Sequence, residues 1–90
     1  MFAIDTSDKY DEQHRDLKKS APALYVKLQK LIADISLHPT SGIGKPERLR
    51  GYGSREIYSR RIDNKNRLVY ELFFDENIVV LLRCKGHYDN

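Results

Sequence analysis

The chain has 90 residues, with 16 Lys and Arg against 13 Asp and Glu, and 40% of its residues are hydrophobic. This composition predicts one globular domain, residues 1–90, with a single core and no room for a separate cofactor domain. The longest apolar run, residues 78–82, is too short to cross a membrane, and one cysteine cannot form an internal disulfide. These features exclude a membrane protein, a disulfide-stabilised miniprotein and a cysteine-based zinc module. The N-terminal residues lack the basic and apolar regions of a signal peptide, so we expect a cytoplasmic protein.

The first part of the chain predicts a short strand followed by two helices. Residues 2–5 form the strand, and Thr6 or Ser7 can cap a helix that continues to about residue 19. Ser20 is expected to cap a second helix, whose apolar residues recur at helical spacing along one face. That helix has to end by residue 38, because Pro39 disfavours helical backbone in the residue before it.

From residue 47 onward the hydrophobic period changes to two, which is typical of strands. We expect strands over four ranges, namely 47–50, 56–62, 67–74 and 78–84. The even positions of the third strand are apolar and should meet the core, which directs Arg67 to the opposite side. A four-residue turn precedes this strand, so Arg61 and Arg67 are expected to reach the open face together. These elements predict an α+β fold, with a helical hairpin packed on one face of a twisted antiparallel sheet.

Basic residues concentrate between positions 45 and 67. This segment holds eight Lys and Arg against three Asp and Glu, a net charge of +5, whereas the whole chain carries +3. Such a block is typical of a polyanion site, although a solvated charged surface accounts for the charge alone equally well. Six of the eight residues are arginines, whose planar guanidinium suits bidentate contact with phosphate. The composition of the block therefore favours a phosphate ligand.

Cleavage of RNA without a metal needs three kinds of group. A base takes the 2′-hydroxyl proton, cations stabilise charge on the phosphate oxygens, and an acid protonates the leaving 5′-oxygen. The chain offers Glu47 after a Gly-Lys-Pro turn, Arg61 and Arg67 on a hairpin, and His87 after the last strand. Each of these residues alone is more typical of a surface ion pair or a solvated tail. Cys84 is expected to be a buried strand residue, because no motif places a base beside it.

Four short motifs share the order and spacing of a known family. They are Gly-Ile-Gly-Lys-Pro-Glu-Arg-Leu-Arg at 42–50, Tyr-Ser-Arg-Arg-Ile at 58–62, Arg-Leu-Val-Tyr at 67–70 and His-Tyr at 87–88. Together they resemble the YoeB/Txe-type toxins, which belong to the RelE superfamily of bacterial type II toxin–antitoxin systems. The combination is specific although each motif alone is weak, and the two helices match the family only in length and character.

This resemblance implies a microbial-ribonuclease-like α+β fold and the activity of an mRNA interferase. Such a toxin acts on the ribosome and cuts messenger RNA in the A site of the small (30S) subunit, without a metal or any other cofactor. The implied partners are the messenger, ribosomal RNA and a cognate antitoxin whose C-terminal tail folds onto the toxin. Many family members are also homodimers.

Position by position, the resemblance implies a role for each matching residue. Glu47 is the expected general base, His87 the general acid, Arg67 the stabiliser of the phosphorane, Arg61 a contact to the same phosphate, and Tyr88 the residue that orients or stacks on the base. The residues expected to bind neighbouring phosphates, ribosomal RNA or bases are Lys45, Arg50, Arg60 and Tyr58.

Two other functions remain open from the sequence. One is a basic module of the same fold that binds RNA or the ribosome without cutting, and the other is a small ribonuclease that needs no ribosome. Stacking of Tyr58 on RNA competes with simple packing inside the protein. The chain also departs from the family pattern, because Asn66 stands where members often have His, and Asp89 and Asn90 follow the His-Tyr pair.

Overall fold

Two helices cover one face of a five-stranded sheet in the computed structural model, which describes residues 1–86. In chain order the elements are β1 (Ala3–Thr6), α1 (Asp8–Ser20), α2 (Pro22–Leu37), β2 (Glu47–Arg48), β3 (Glu56–Arg61), β4 (Arg67–Phe73), a 3₁₀ helix (Phe74–Glu76) and β5 (Ile78–Arg83). The predicted order of elements and the α+β class are confirmed. The strand expected over residues 47–50 is shorter than predicted, since only its first two residues pair.

The sheet has the strand order β1-β5-β4-β3-β2. Strands β2 to β5 pair antiparallel in succession, as predicted, whereas β1 pairs parallel with β5. The sheet is therefore mixed, and the expectation of an antiparallel sheet holds for β2 to β5 but not for β1. A parallel pair needs a long connection between its strands, and the two helices and three strands between β1 and β5 provide one.

The first helix begins at the predicted cap and the second does not. Oγ of Ser7 accepts the N–H of Tyr10 (3.1 Å) and donates to the Leu82 oxygen (3.0 Å), which joins the start of α1 to β5. Ser20 instead donates its hydroxyl to the Asp16 oxygen (2.7 Å) inside α1. The second helix begins without a side-chain cap and has proline in its first turn, where the missing N–H has no cost.

We call the face of the sheet covered by α1 and α2 the helix-side face, and the opposite one the open face. On the helix-side face, Leu68, Tyr70 and Leu72 of β4 are buried against the helices, which confirms the predicted core parity. The fourth even position, Phe74, lies in the 3₁₀ helix and is 47% exposed, so it is not a core residue. The main core comprises Tyr10, Leu17, Leu28, Leu31, Ile35, Ile62, Leu68, Tyr70, Leu72, Val79, Leu81 and Cys84.

The open face carries a much smaller apolar cluster, made of Leu49, Ile57 and Val69.

Cys84 lies in the main core, where burial raises the pKa of its thiol to about 11, so the thiol is protonated at neutral pH. This confirms that Cys84 is a buried residue. Across residues 1–86 no helix has both the length and the apolar character needed to cross a bilayer.

Candidate nucleic-acid interface on the open face

One row of paired residues crosses the open face from β2 to β5. In this row Glu47 is the partner of Ser59, Ser59 of Val69, and Val69 of Arg83. Directly paired residues project to the same side of a sheet, so these four side chains share the open face. Neighbouring strands are about 4.8 Å apart, which places the backbones of the first and last residues about 14 Å from each other. A carboxylate and a guanidinium therefore border this part of the face.

A second charged row lies two residues further along the same face. Arg61 and Arg67 are direct partners at the end of the β3–β4 ladder, so both lie on the open face as predicted. Nη1 of Arg67 donates to the backbone oxygens of Asp63 (2.7 Å) and Asn66 (3.2 Å), whereas Arg61 is exposed. Like charges directly opposite each other on a sheet repel, and an anion placed between these arginines would relieve the repulsion.

The turn that carries this arginine pair is held by the Asp63 carboxylate. Oδ1 of Asp63 accepts the backbone N–H groups of Lys65 (2.9 Å) and Asn66 (2.7 Å) and the side-chain amide of Asn66 (3.1 Å). Burial opposes ionisation of Asp63, but these hydrogen bonds outweigh it and hold the pKa of the carboxyl below its ordinary value. The turn is therefore held by an ionised carboxylate at neutral pH.

Arg60 lies on the helix-side face and is fully buried. Its guanidinium forms an ion pair with Asp34 of α2 and donates to Tyr70 Oη (3.0 Å). The remaining N–H groups donate to backbone oxygens of the loop after α2, which belong to His38, Ser41 and Ile43. Every bond of this arginine is internal, so Arg60 cannot contact RNA in this fold. The prediction that Arg60 binds phosphate is therefore replaced by a structural role.

The glycines of the Gly-Ile-Gly motif let this loop approach Arg60 and α2. Both have positive φ angles, +108° at Gly42 and +80° at Gly44, which side chains rarely adopt. A Cβ at Gly42 would lie 2.0 Å from Oδ2 of Asp34, and one at Gly44 would lie 2.7 Å from Leu31. The oxygen of Gly44 also accepts the N–H of Arg61 (2.7 Å), which ties the loop to β3. The motif therefore holds the start of β2 in place.

Tyr58 also lies on the helix-side face. It is half-buried against the main core, and its ring stacks on that of Tyr70 with 6.0 Å between centroids. Packing inside the protein, the alternative that the sequence left open, therefore describes Tyr58 better than stacking on RNA. Tyr52 instead packs on the small cluster of the open face, with the Arg55 guanidinium 5.9 Å from its ring centroid.

Within residues 1–86, carboxylates form ion pairs with at least three of the eight cations in the basic block. The pairs are Arg48–Glu56 (2.8 Å), Arg55–Glu71 (2.7 Å) and Arg60–Asp34. Glu71 and Asp34 lie outside the block in the sequence, so the net charge of the segment overstates its local excess of positive charge. The cations that remain candidates for a ligand are Lys45, Arg50, Arg61, Lys65 and Arg67.

Exposed cations lie on both sides of Glu47 in the sequence, at positions 45 and 50. Lys45 adopts a positive φ of 52° in the loop before Pro46, and Arg50 begins the turn after β2. Glu47 itself is exposed, and its position follows from the pairing of β2 with β3. The loop and the strand thus present two cations near one carboxylate at the edge of the open face.

His87 and Tyr88, the predicted general acid and base-orienting residue, lie outside the described residues. The last described residue is Gly86, whose oxygen accepts the backbone N–H of Arg67 (3.0 Å). The described part of the chain therefore ends beside Arg67.

Sequence reasoning did not identify Arg83 or Asp34. Arg83 ends a strand that is otherwise apolar, and its face depends on an irregularity in the β4–β5 register between Val69 and Tyr70. Such a bulge leaves no clear mark in the sequence. Asp34 is 26 residues from Arg60 in the sequence, and its only sequence signal is its position on the polar side of α2.

Within residues 1–86 no three His, Cys, Asp or Glu side chains are grouped so that they could hold a metal ion.

Comparison with known proteins identifies the family. A family model described as "YoeB-like toxin of bacterial type II toxin-antitoxin system" matches residues 6–88. The chain belongs to this family of toxins. It is 47% identical over 62 residues to toxin RelK of Mycobacterium tuberculosis, an alignment that covers 69% of each chain.

Solved structures of the family have the same fold. A YoeB dimer from Staphylococcus aureus superposes with a TM-score of 0.85 and 31% identity, covering 97% of this chain and 98% of that one. A heterotetrameric YoeB–YefM toxin–antitoxin complex from the same organism gives a TM-score of 0.82 and 30% identity, over 98% and 99% of the two chains. A chain of an archaeal RelE–RelB complex from Pyrococcus horikoshii, at 16% identity and a TM-score of 0.76, shares the fold alone, which confirms the RelE-like architecture.

Proposed function

We propose that this toxin is a ribosome-dependent endoribonuclease that cuts messenger RNA in the A site. The observation that carries the proposal is the cross-strand pair Arg61–Arg67, which shares the open face with Glu47. Paired guanidinium groups suit the charge that builds on a phosphate during cleavage, and a nearby carboxylate can accept a proton. Membership of a toxin family supports an activity that harms the cell, and the chemistry of the site supports RNA cleavage as that activity.

The proposed reaction needs only groups of this chain and the RNA. Glu47 takes the proton of a 2′-hydroxyl as the 2′-oxygen bonds to the adjacent phosphorus. Arg67, with Arg61, stabilises the charge on the non-bridging oxygens. The bond from phosphorus to the 5′-oxygen then breaks, and His87 donates the proton that this oxygen needs. The products are a 2′,3′-cyclic phosphate and a 5′-hydroxyl.

Residues around this centre are proposed to hold the RNA. Lys45 and Arg50, exposed on either side of Glu47, bind neighbouring phosphates or ribosomal RNA. Tyr88 stacks on a base or orients it, which suits a single-stranded substrate. Arg60 and Tyr58 are left out of this set because they lie on the helix-side face.

We further propose that a cognate antitoxin neutralises the toxin and that the toxin works in the cytoplasm. The Staphylococcus aureus relatives support the first point and a homodimer, since their structures are described as a YoeB–YefM heterotetramer and a YoeB dimer. Messenger RNA and ribosomal RNA are the other proposed partners.

The decisive experiment is cleavage of a programmed message in a purified translation system. The proteins compared are the wild type, Glu47→Gln, His87→Gln and a control, Glu12→Gln, at an exposed position of α1. The same RNA is also incubated without ribosomes. We expect wild type and control to cut in the A site only when ribosomes are present, and both other variants to lose cleavage while remaining folded.

Two outcomes would replace the proposal with its alternatives. Cleavage of RNA without ribosomes identifies a freely acting ribonuclease. Ribosome binding by a folded wild-type protein that never cuts identifies a binding module. A message with a 2′-deoxy nucleotide at the cut site adds a test of mechanism, because it lacks the proposed nucleophile and must stay intact.

A further inference from the structure

Two side-chain amides bind the chain where it leaves the sheet toward position 87. Oε1 of Gln13, on α1, accepts the backbone N–H groups of Cys84 (2.8 Å) and Lys85 (3.1 Å). Oδ1 of Asn66, in the β3–β4 turn, accepts the N–H of Gly86 (3.0 Å). Three consecutive N–H groups beyond β5 are therefore bound by oxygens from two distant parts of the chain. We call these two side chains and residues 84–86 the C-terminal clamp.

Contacts around the clamp fix the orientation of its members. Nδ2 of Asn66 donates to Oδ1 of Asp63 (3.1 Å), which leaves the amide oxygen of Asn66 directed at Gly86. On the α1 side, Lys85 Nζ lies 3.7 Å from Oδ2 of Asp16. The oxygen of Gly86 accepts the backbone N–H of Arg67, so both polar groups of its backbone are bound. The clamp thus joins the start of β4 to the end of the described chain.

We infer that Gln13 and Asn66 are positioning residues for His87, an inference that rests on the proposed function. A general acid works only within hydrogen-bond reach of the leaving oxygen. Consecutive Cα atoms are about 3.8 Å apart, so fixing Gly86 beside Arg67 limits where residue 87 can begin. A displacement of about 1 Å at a reacting group can cost roughly 100-fold in rate. The clamp therefore fixes the entry point of the acid relative to the arginine that stabilises the phosphorane.

The chemistry of the clamp suits this role. Both amides act through a neutral oxygen, so they bind backbone N–H groups without adding negative charge beside Arg67 and Arg83. A carboxylate at position 66 would compete with the RNA phosphate for these cations and would face Asp63. At position 13, on the α1 side of the clamp, a carboxylate can replace the amide because only acceptor oxygens are used there.

The experiment compares Gln13→Met, which removes the acceptor at similar volume, with Gln13→Glu, which keeps it. Gln29→Met, at an exposed position of α2, is the matched control. Amide hydrogen exchange, measured by NMR on the full chain without ribosomes, reports the clamp directly. We expect exchange at Cys84 and Lys85 to be about 5- to 10-fold faster in Gln13→Met, the effect of losing one hydrogen bond per group, and unchanged in the other two variants.

Cleavage is then measured as a single turnover on programmed ribosomes at saturating toxin. We expect the Gln13→Met rate constant to fall about 10- to 100-fold with an unchanged half-saturating concentration, and Gln13→Glu to restore it. Asn66→Leu, with Asn64→Leu at an exposed turn position as its control, tests the other half of the clamp in the same way.

The outcomes separate the two proposals. Unchanged exchange in Gln13→Met overturns the clamp. Faster exchange with a normal rate constant, or a change in half-saturation alone, overturns the positioning role. A wild-type toxin that never cuts overturns the proposed function and the positioning role together, and the exchange data then still decide whether the clamp exists.

Discussion

The two faces of the sheet use arginine in opposite ways. On the helix-side face, Arg60 is fully buried, and all its bonds are made to Asp34, Tyr70 and loop carbonyls. On the open face, the next residue, Arg61, is exposed opposite Arg67. Strand residues alternate sides, so one peptide bond separates a structural arginine from a candidate ligand-binding one. The comparison teaches that the number of cations in a segment does not measure the charge that a ligand meets.

Substitutions at the two neighbouring arginines, Arg60 and Arg61, test the difference between the two faces with the largest expected effect on stability. Arg60→Met should lower the free energy of unfolding by roughly 3–5 kcal/mol, because it removes a fully buried guanidinium from its ion pair with Asp34 and leaves three loop carbonyls without this donor. Arg61→Met should change stability by less than about 1 kcal/mol, since its side chain is exposed. Urea unfolding followed by circular dichroism measures both. Equal losses would contradict the division between the faces.

The open face is tested by Arg67→Ala. Removing one preorganised charge-stabilising group should lower the single-turnover cleavage rate by about 10²- to 10³-fold. Among its contacts, the Arg67 side chain donates to two turn carbonyls, and the loss of such hydrogen bonds should lower stability by about 1 kcal/mol each. A variant that is merely a weaker binder, with a normal rate at saturating concentration, would rule out the phosphorane role.

The glycine loop that joins the faces is probed by Gly44→Ala against Gly51→Ala. Both glycines have a positive φ, but a Cβ at Gly44 would lie 2.7 Å from Leu31, whereas nothing lies within 4 Å of one at Gly51. The strained backbone costs both variants of order 1 kcal/mol, and the collision should cost Gly44→Ala a further 1–3 kcal/mol or so. Thermal unfolding of the two variants gives the difference directly, and no difference would mean that the loop does not press on α2.

The smallest expected effect is on the stability of the fold at acidic pH. Hydrogen bonding by Arg60 holds the pKa of Asp34 below its ordinary value. Ionised Asp34 therefore stabilises the fold fully above about pH 4, and this contribution is lost as the pH falls through the lower folded-state value. We expect Asp34→Asn to be less stable than wild type at neutral pH and to lose less stability on acidification. Urea midpoints between pH 7 and 2 measure this, with Asp75→Asn at an exposed position as control.

Much of the fold follows from local sequence signals. The period of two in β4 correctly predicted which face meets the helices, and together with the turn length it predicted that Arg61 and Arg67 would share the open face. The motif residues around Glu47 were predicted to form a loop and strand, which is where they lie. These features depend on neighbours within a few residues, so their pattern is visible in the sequence.

Features set by distant contacts could not be predicted in this way. Arg60 was expected on the surface because arginine is rarely buried, and its partner Asp34 belongs to a helix far away in the sequence. The parallel pairing of β1 depends on where the chain returns, which a four-residue strand does not encode. The same holds for the clamp, since Gln13 is 71 residues from Cys84. Long-range polar contacts specify much of this site.

The parallel pairing of β1 with β5 affects when the sheet can form during synthesis of the chain. The strand β5 lies between β1 and β4, so the sheet cannot close until residues 78–83 have left the ribosome. Ala3 pairs with Ile78, and strand pairings between residues so far apart in the sequence form late in folding. A nascent chain can form its helices and the β3–β4 hairpin earlier, but both hairpin and edge strand lack their common neighbour. The complete sheet of the nascent toxin therefore cannot form until β5 has emerged from the ribosome.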